Sequence, residues 1–314
     1  MFDGWTCFLE HYVALFAVFW HDKQLKQTLL AIALVEEGDL TAQSHCAFMR
    51  NILSIFHQSE SSLAFLIGDN CTTNQAAATN LGVPLIGCAS HRFNLAVNSY
   101  LEEHKTTVDA VSALMAALRT RDSLELYVRI RDEIKQVDAV FDLIPKAAMH
   151  RKIGALLGDL QVFNSVTIKL QSEDLSRADV RVLFDSVLQR FPSLTSKLGV
   201  TASIVHSPGF EAATVKVING ETGRLTTSER KAIKRFEVTT SPGLTGMKRK
   251  NGAKNGEEKT EEDEDFATVV LRAKRASAVA QRPSQYCQLL VELPPTSNRC
   301  ERLFSQAKLV LSPQ

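Results

Sequence analysis

The sequence predicts an α/β protein: a mixed sheet with covering helices, interrupted by an all-helical section and rejoined near the end by a short apolar segment. Three observations predict it. One stretch near the N-terminus is apolar on both alternating faces, short apolar runs further on alternate with helical patterns, and from about Val108 to Phe191 apolar residues recur at steps of three and four. At 314 residues the chain has room for one large domain or two ordinary ones.

His11 to Trp20 is the doubly apolar stretch, with Tyr12, Ala14, Phe16 and Val18 on one face and Val13, Leu15, Ala17 and Phe19 on the other. That pattern predicts a central strand covered on both sides. Leu25 to Val35 is a second strand, and Asp22-Lys23 between them suits a tight hairpin turn. Thr41 to His57 changes to a helical period, capped near Thr41, with Ala47, Ile52, Leu53 and Phe56 on the expected inner face. Leu63 to Ile67 and Pro84 to Cys88 read as short strands on either side of a helix at Asn74 to Leu81.

The helical section shows two clear faces: Tyr127, Ile130, Ile134, Val137, Phe141 and Ile144, then Val180, Leu183, Phe184, Val187, Leu188 and Phe191. Such faces bury each other in a group of antiparallel helices. Ser176 with Asp179 and Thr226 with Glu229 have the spacing of helix-starting capping boxes. Ser241 to Asp265 is rich in Gly, Lys, Glu and Thr and has almost nothing to bury, so it is expected to be a flexible insertion. Tyr286 to Leu311 is apolar again, with a helical pattern from Asn298, and reads as a second piece of core or as an association surface.

Hydrophobic residues make up 45% and charged residues 23%, which excludes a wholly disordered, collagen-like or small disulfide-stapled protein. The formal net charge is +1, so composition as a whole exerts no strong pull toward nucleic acid or membrane. Glu257 to Asp265 alone contributes −6, which leaves a mildly basic remainder of +7. No apolar stretch reaches the roughly 20 residues that span a bilayer as a helix. The six cysteines have no framework spacing, which suits free thiols inside the cell. Met247-Lys248-Arg249-Lys250 with Lys254, followed by Arg272, Lys274 and Arg275, fits a solvated charged loop or a nuclear import signal.

Two carboxylates stand where chemistry could sit. Asp3 lies just before the hairpin, and Asp69 follows the strand Leu63 to Ile67 in Gly68-Asp69-Asn70. Acids at neighbouring strand tips can converge on Mg²⁺, which takes oxygen ligands, and a third carboxylate would complete a site for phosphodiester cleavage. Gly-Asp-Asn is equally an ordinary turn sequence, and spacing leaves both readings open. Cys88 and His91 have the spacing of half a zinc site, with no second Cys/His pair to complete it, so no structural zinc is expected. Glycine patterns for cradling phosphates are missing.

In this order these residues resemble the hAT-superfamily (hobo/Activator-type) transposases. Phe2-Asp3-Gly4-Trp5-Thr6 resembles the family's first catalytic block, and Gly68-Asp69-Asn70 with Asn74 the second. Gly87-Cys88-Ala89-Ser90-His91-Arg92-Phe93-Asn94-Leu95 is similar to the Cys-x-x-His helix start that follows. Pro295-Thr296-Ser297-Asn298-Arg299-Cys300-Glu301-Arg302-Leu303-Phe304-Ser305 resembles the C-terminal dimerisation block. The resemblance implies a ribonuclease H-like core (residues 1–105) interrupted by a helical insertion (106–240) and a charged linker (241–270), with core and dimerisation segment returning over 271–314.

By the same resemblance Asp3, Asp69 and Glu301 would be catalytic acids binding Mg²⁺, Cys88 and His91 would flank them structurally, and Leu293, Leu303 and Phe304 would serve dimerisation. Only two residues precede Asp3, so the first strand is expected to be truncated and the family's upstream zinc finger to be missing. The Arg-Trp motif that the family uses on DNA ends is missing too, because Trp5 and Trp20 are the only tryptophans. The expectation is a transposase-derived nuclear protein that keeps its acids and does not transpose alone. Its expected partners are itself or related transposase chains, and DNA held weakly and without sequence preference. The alternatives are a non-catalytic dimerisation module and a metal-dependent DNA nuclease.

Overall fold

A computed structural model describes residues 1–7, 10–35, 41–117, 124–136, 138–238, 264–276 and 285–311. Five strands are present among them: β1 (Phe2–Cys7), β2 (Glu10–His21), β3 (Gln24–Val35), β4 (Leu66–Gly68) and β5 (Leu85–Gly87). The α-helices are α1 (Ala42–Ile55), α2 (Thr72–Asn80), α3 (Ala89–Glu103), α4 (Lys105–Ala117), α5 (Leu124–Ile134), α6 (Ala147–Leu170) and α7 (Arg177–Arg190). Then come α8 (Thr195–Leu198), α9 (Pro208–Ile218), α10 (Thr227–Ile233), α11 (Phe266–Ala276), α12 (Gln288–Val291) and α13 (Asn298–Leu311). The protein is therefore mixed α/β and mostly helical, with small sheets.

β1, β2 and β3 pair antiparallel, with Asp3 opposite Ala14 and Trp5 opposite Tyr12. The β2–β3 hairpin turns at Asp22 and Lys23, whose φ values of 50° and 59° are the positive angles a tight hairpin turn of this hand requires. β4 and β5 pair parallel, as expected of strands joined through a crossover helix. β4 lies alongside β1: a Cβ on Gly68 would come within 3.0 Å of the Phe2 carbonyl oxygen. The strands thus lie in the spatial order β3, β2, β1, β4, β5, as a three-stranded and a two-stranded sheet with no ladder hydrogen bonds between β1 and β4.

Alternation along these strands divides the apolar side chains between two helical layers. Phe2, Leu15, Leu66 and Leu85 pack with Cys46, Met49, Ala77 and Ala78 of α1 and α2. Their neighbours Ala14, Phe16, Ile67 and Ile86 point the other way, onto Phe210, Ala213, Ile233, Leu290, Leu293 and Phe304 of α9, α10 and the C-terminal segment. A third, all-helical cluster joins α3 to α7 and α11 around Phe93, Tyr127, Phe163 and Phe184.

Several boundaries differ from the sequence expectation. The helical insertion does not extend to residue 240, because Phe210, Ala213, Val217 and Ile233 bury against the sheet. Conversely, residues 266–276 are not linker or returning core: α11 buries Ala267 and Leu271 in the helical cluster. The basic run from Met247 and most of Ser241 to Asp265 lie outside the described residues.

β2 is covered on both sides only at Val13 to Phe16, and Phe19 is 40% exposed. The buried face of α1 is His45, Cys46, Met49 and Leu53, whereas Ala47 and Phe56 are exposed. Phe141 is exposed as well, and Val137 is outside the described residues. Thr41 caps α1 and accepts from the Ser44 amide, and both capping boxes form as their spacing predicts. Among the described residues no helix is long and apolar enough to cross a membrane.

Candidate functional site

Asp3 sits on β1, where its Oδ1 accepts a hydrogen bond from the Gly4 amide at 2.9 Å. Asp69 follows β4 in the turn that leads into α2. That turn is tied down by its own helix: Asn74 Nδ2 donates to the Asp69 carbonyl at 3.1 Å, and Gln75 Nε2 donates to the Asn70 carbonyl at 3.0 Å. Glycine at 68 lets β4 pass the Phe2 carbonyl closely, so Asp69 emerges beside the strand that carries Asp3.

β5 ends at Gly87, and Cys88 is the cap residue before α3. The Cys88 amide donates to the Gly68 carbonyl at 2.8 Å, which fixes the start of α3 next to the Asp69 turn. One turn on, His91 Nδ1 lies 3.1 Å from Asp69 Oδ2. Cys88 Sγ accepts from the Ser297 amide at 3.3 Å, and the Ala89 amide donates to the Pro295 carbonyl at 3.0 Å. The C-terminal block is therefore laid across the start of α3. Burial pushes the Cys88 thiol up to about 11, so it is a protonated structural group and not a nucleophile at neutral pH.

The same docking positions α13. Asn298 Nδ2 donates to the Leu170 carbonyl at 3.0 Å, Cys300 is fully buried, and Phe304 stacks on Trp5 of β1 with ring centroids 5.5 Å apart. Arg302 turns to Glu173 and to the Gln171 carbonyl instead of to its neighbour Glu301. Among the described residues Glu301 makes no direct ion pair with Arg299 or Arg302, although the Arg302 charge still acts on it.

Asp3, Asp69 and Glu301 meet in one electrostatic neighbourhood. Burial, then the Asp69 charge, raise the Asp3 carboxyl; the Gly4 amide opposes this, Glu301 adds to it, and the result is about 7. Asp69 is raised by burial and held down by His91. Glu301 is raised by burial and by Asp69, with His91 and Arg302 opposing. The negative charge of Asp69 thus acts on both Asp3 and Glu301, whose pKa values like charges nearby are expected to raise.

The expectation that the three carboxyl groups share a single coordination sphere is not met as placed: among the described residues no three His, Cys, Asp or Glu side chains are close enough to hold a metal ion together. Mg²⁺ needs less than that, because it usually binds through one or two carboxylates and keeps several waters. Asp3 and Asp69 supply oxygen donors of the right kind, and a dication would reverse their raised pKa values.

Leu293 is 1% and Phe304 5% exposed, with Leu303 partly buried beside them. All three pack in the chain's own core, so the C-terminal segment is a returning core element at these positions. Sequence reasoning missed Asn70, whose side chain is buried over Gly87 and has no hydrogen-bond partner among the described residues. A glycine closing a short strand was the available signal. Also missed was a cavity rich in arginine beside α3, signalled by Arg177 and Arg181 four residues apart on an otherwise apolar face. No protein-family model matches the chain, and neither does any curated protein.

Proposed function

We propose that this chain is derived from a hAT-type transposase and that its core is ribonuclease H-like, with a divalent-metal site at Asp3, Asp69 and Glu301 that supports metal-dependent phosphodiester cleavage. The observation that carries the reading is the approach of these three acids, from β1, the β4 turn and α13: Asp69 and Glu301 both raise the Asp3 carboxyl, and Asp69 raises that of Glu301. The strand order β3, β2, β1, β4, β5 with helices on both faces supports the same reading.

Bound Mg²⁺ would supply activation of a water and stabilisation of the leaving oxygen. Asp3 and Asp69 would hold it, with Glu301 adding negative charge nearby from α13. His91 orients the Asp69 carboxylate through its 3.1 Å contact, and Asn74 fixes the backbone on which Asp69 stands. Cys88, through the Ser297 amide, keeps α13 in register with the strand tips. DNA binding would rest on phosphate contacts, because no base-reading motif is recognisable in the sequence, with dissociation constants of about 10⁻⁴–10⁻⁶ M and affinity that falls steeply with salt. The chain would not transpose alone.

Titration calorimetry of the full chain with Mg²⁺, together with a plasmid-nicking assay, tests this. Saturable binding and nicking that both disappear in Asp69→Asn are expected, with metal affinity about 10–100-fold weaker in His91→Gln. Equal binding and cleavage by wild type and Asp69→Asn, or no saturable binding at all, would overturn it.

A further inference from the structure

A cavity of about 220 Å³, which neither Asp3, Asp69 nor Glu301 lines, lies between α3, α7 and α9. One face of α7 supplies Arg177, Val180, Arg181 and Phe184, residues that helical spacing puts side by side. Glu211 and Val215 of α9 stand opposite, Arg92 of α3 forms the floor, and Val200, 42% exposed, lies at the rim.

The charges do not balance inside it. Arg92 is 4% and Arg177 7% exposed, and both pair with the single carboxylate of Glu211, at 3.2 and 3.4 Å. Arg181 is held from the solvent side by Asp185 at 2.7 Å, and Lys216 is matched by Glu229 at 2.8 Å. Four cationic groups thus face three carboxylates. Arg92 also donates to the carbonyls of Lys197 and Gly199, which fixes its guanidinium. Nε of Arg177 and Nε of Arg181 are buried with no hydrogen-bond partner among the described residues.

A buried guanidinium donor left unpaired is costly, and an excess buried positive charge more so. An oxyanion in the cavity between Arg177 and Arg181 would offset the extra charge, with the planar guanidinium forks that line it suited to its geometry. Burial lowers the Arg92 pKa, Glu211 opposes this, and the like charges of Arg181 and Arg177 lower it further, so the cations already repel one another.

The remaining wall is apolar: Val180, Phe184, Val200, Val215 and Pro295. A dry apolar cavity of about 150 Å³ suffices for benzene, so this one holds a ring and a small head group.

We infer that this cavity is a binding site for a small organic anion, with a compact phosphate or carboxylate head on Arg177 and Arg181 and a ring-sized apolar body against Phe184 and Val180. The site is separate from the carboxylate cluster and does not depend on the function proposed for it. A buried structural Arg–Glu–Arg arrangement explains the Glu211 pairing; it does not explain the excess cation or the cavity that these arginines line.

The probe is phenyl phosphate, titrated calorimetrically into the full-length wild-type protein. Phenylacetate is the carboxylate arm, and inorganic phosphate and benzyl alcohol test head and body separately. One-to-one saturable binding of phenyl phosphate or phenylacetate is expected, and whichever binds tighter identifies the head group. Each half alone should bind roughly tenfold or more weakly, since a charged hydrogen bond or the apolar burial is lost.

Arg181→Gln should weaken binding by a similar factor. Val200→Trp at the exposed rim should block entry while all the charges stay in place, and it decides the matter if Arg181→Gln fails to fold. Binding unaffected by Val200→Trp, or absent for both ring-bearing anions, would overturn the inference. So would a short DNA duplex that binds and is displaced by Val200→Trp while the small anions do not bind.

Discussion

The side chain of Asn70 lies so closely over Gly87 that a Cβ at position 87 would collide with its amide group. Asn70 ends the turn after β4 and Gly87 ends β5, so this contact sets how near the Asp69 turn approaches the start of α3. It also explains why glycine closes β5, although no positive φ requires it there.

Gly87→Ala is therefore expected to cost about 1–3 kcal/mol, the usual penalty for overpacking, measured by urea denaturation. Asn70→Ala removes a buried amide that has no partner, so the double variant should recover most of the loss. Strictly additive effects would show that the two positions do not meet.

Asp3 sets a pH dependence. Its folded pKa of about 7 lies above its ordinary 3.8. The favourable contribution of the protonated form is fully present below about 4 and is lost as pH rises toward 7, because the unfolded chain ionises first. Asp3→Asn keeps the Gly4 hydrogen bond and removes the charge. Thermal melts without divalent metal should show the variant gaining on wild type from pH 4 to 7, by a few degrees, with a constant gap above 7. A gap that is largest at pH 4 would contradict the raised pKa.

Phe304 separates core from association. It is stacked on Trp5 and 5% exposed, so Phe304→Ala should destabilise the chain by about 3–5 kcal/mol, whereas Leu303→Ala, only partly buried, should cost less. Sedimentation should find the same assembly state as wild type for whatever fraction of Phe304→Ala stays folded. A variant of normal stability that only dissociates would return this residue to a dimer interface.

At the start of α7, Ser176 Oγ accepts from the Asp179 amide at 3.2 Å, while Asp179 Oδ2 accepts from the Ser176 amide at 3.0 Å. Ser176→Ala should lower stability by about 1 kcal/mol in chemical denaturation. Because Arg177 is the first residue of that helix, phenyl phosphate binding should weaken in the same variant.

Local features were legible in the sequence because their causes are local. Asp22-Lys23 turns a hairpin, Thr41 caps α1, and Ser176 and Thr226 begin helices, since each depends on residues within a few positions. Apolar period likewise identified α7 and its buried Leu183, Phe184 and Val187. What it left undetermined was the partner of each face. α9 joined the sheet and α11 the helical cluster, although either pattern would have suited either place. The acids Asp3, Asp69 and Glu301 were individually visible, but their approach depends on Gly68 admitting β4 beside β1 and on Cys88 receiving the Ser297 amide from more than two hundred residues away. The arginine cavity depends likewise on α7 facing α9. Hydrophobic burial drives packing without direction, so its choice among equally apolar faces is made only when all the helices compete for the same surfaces.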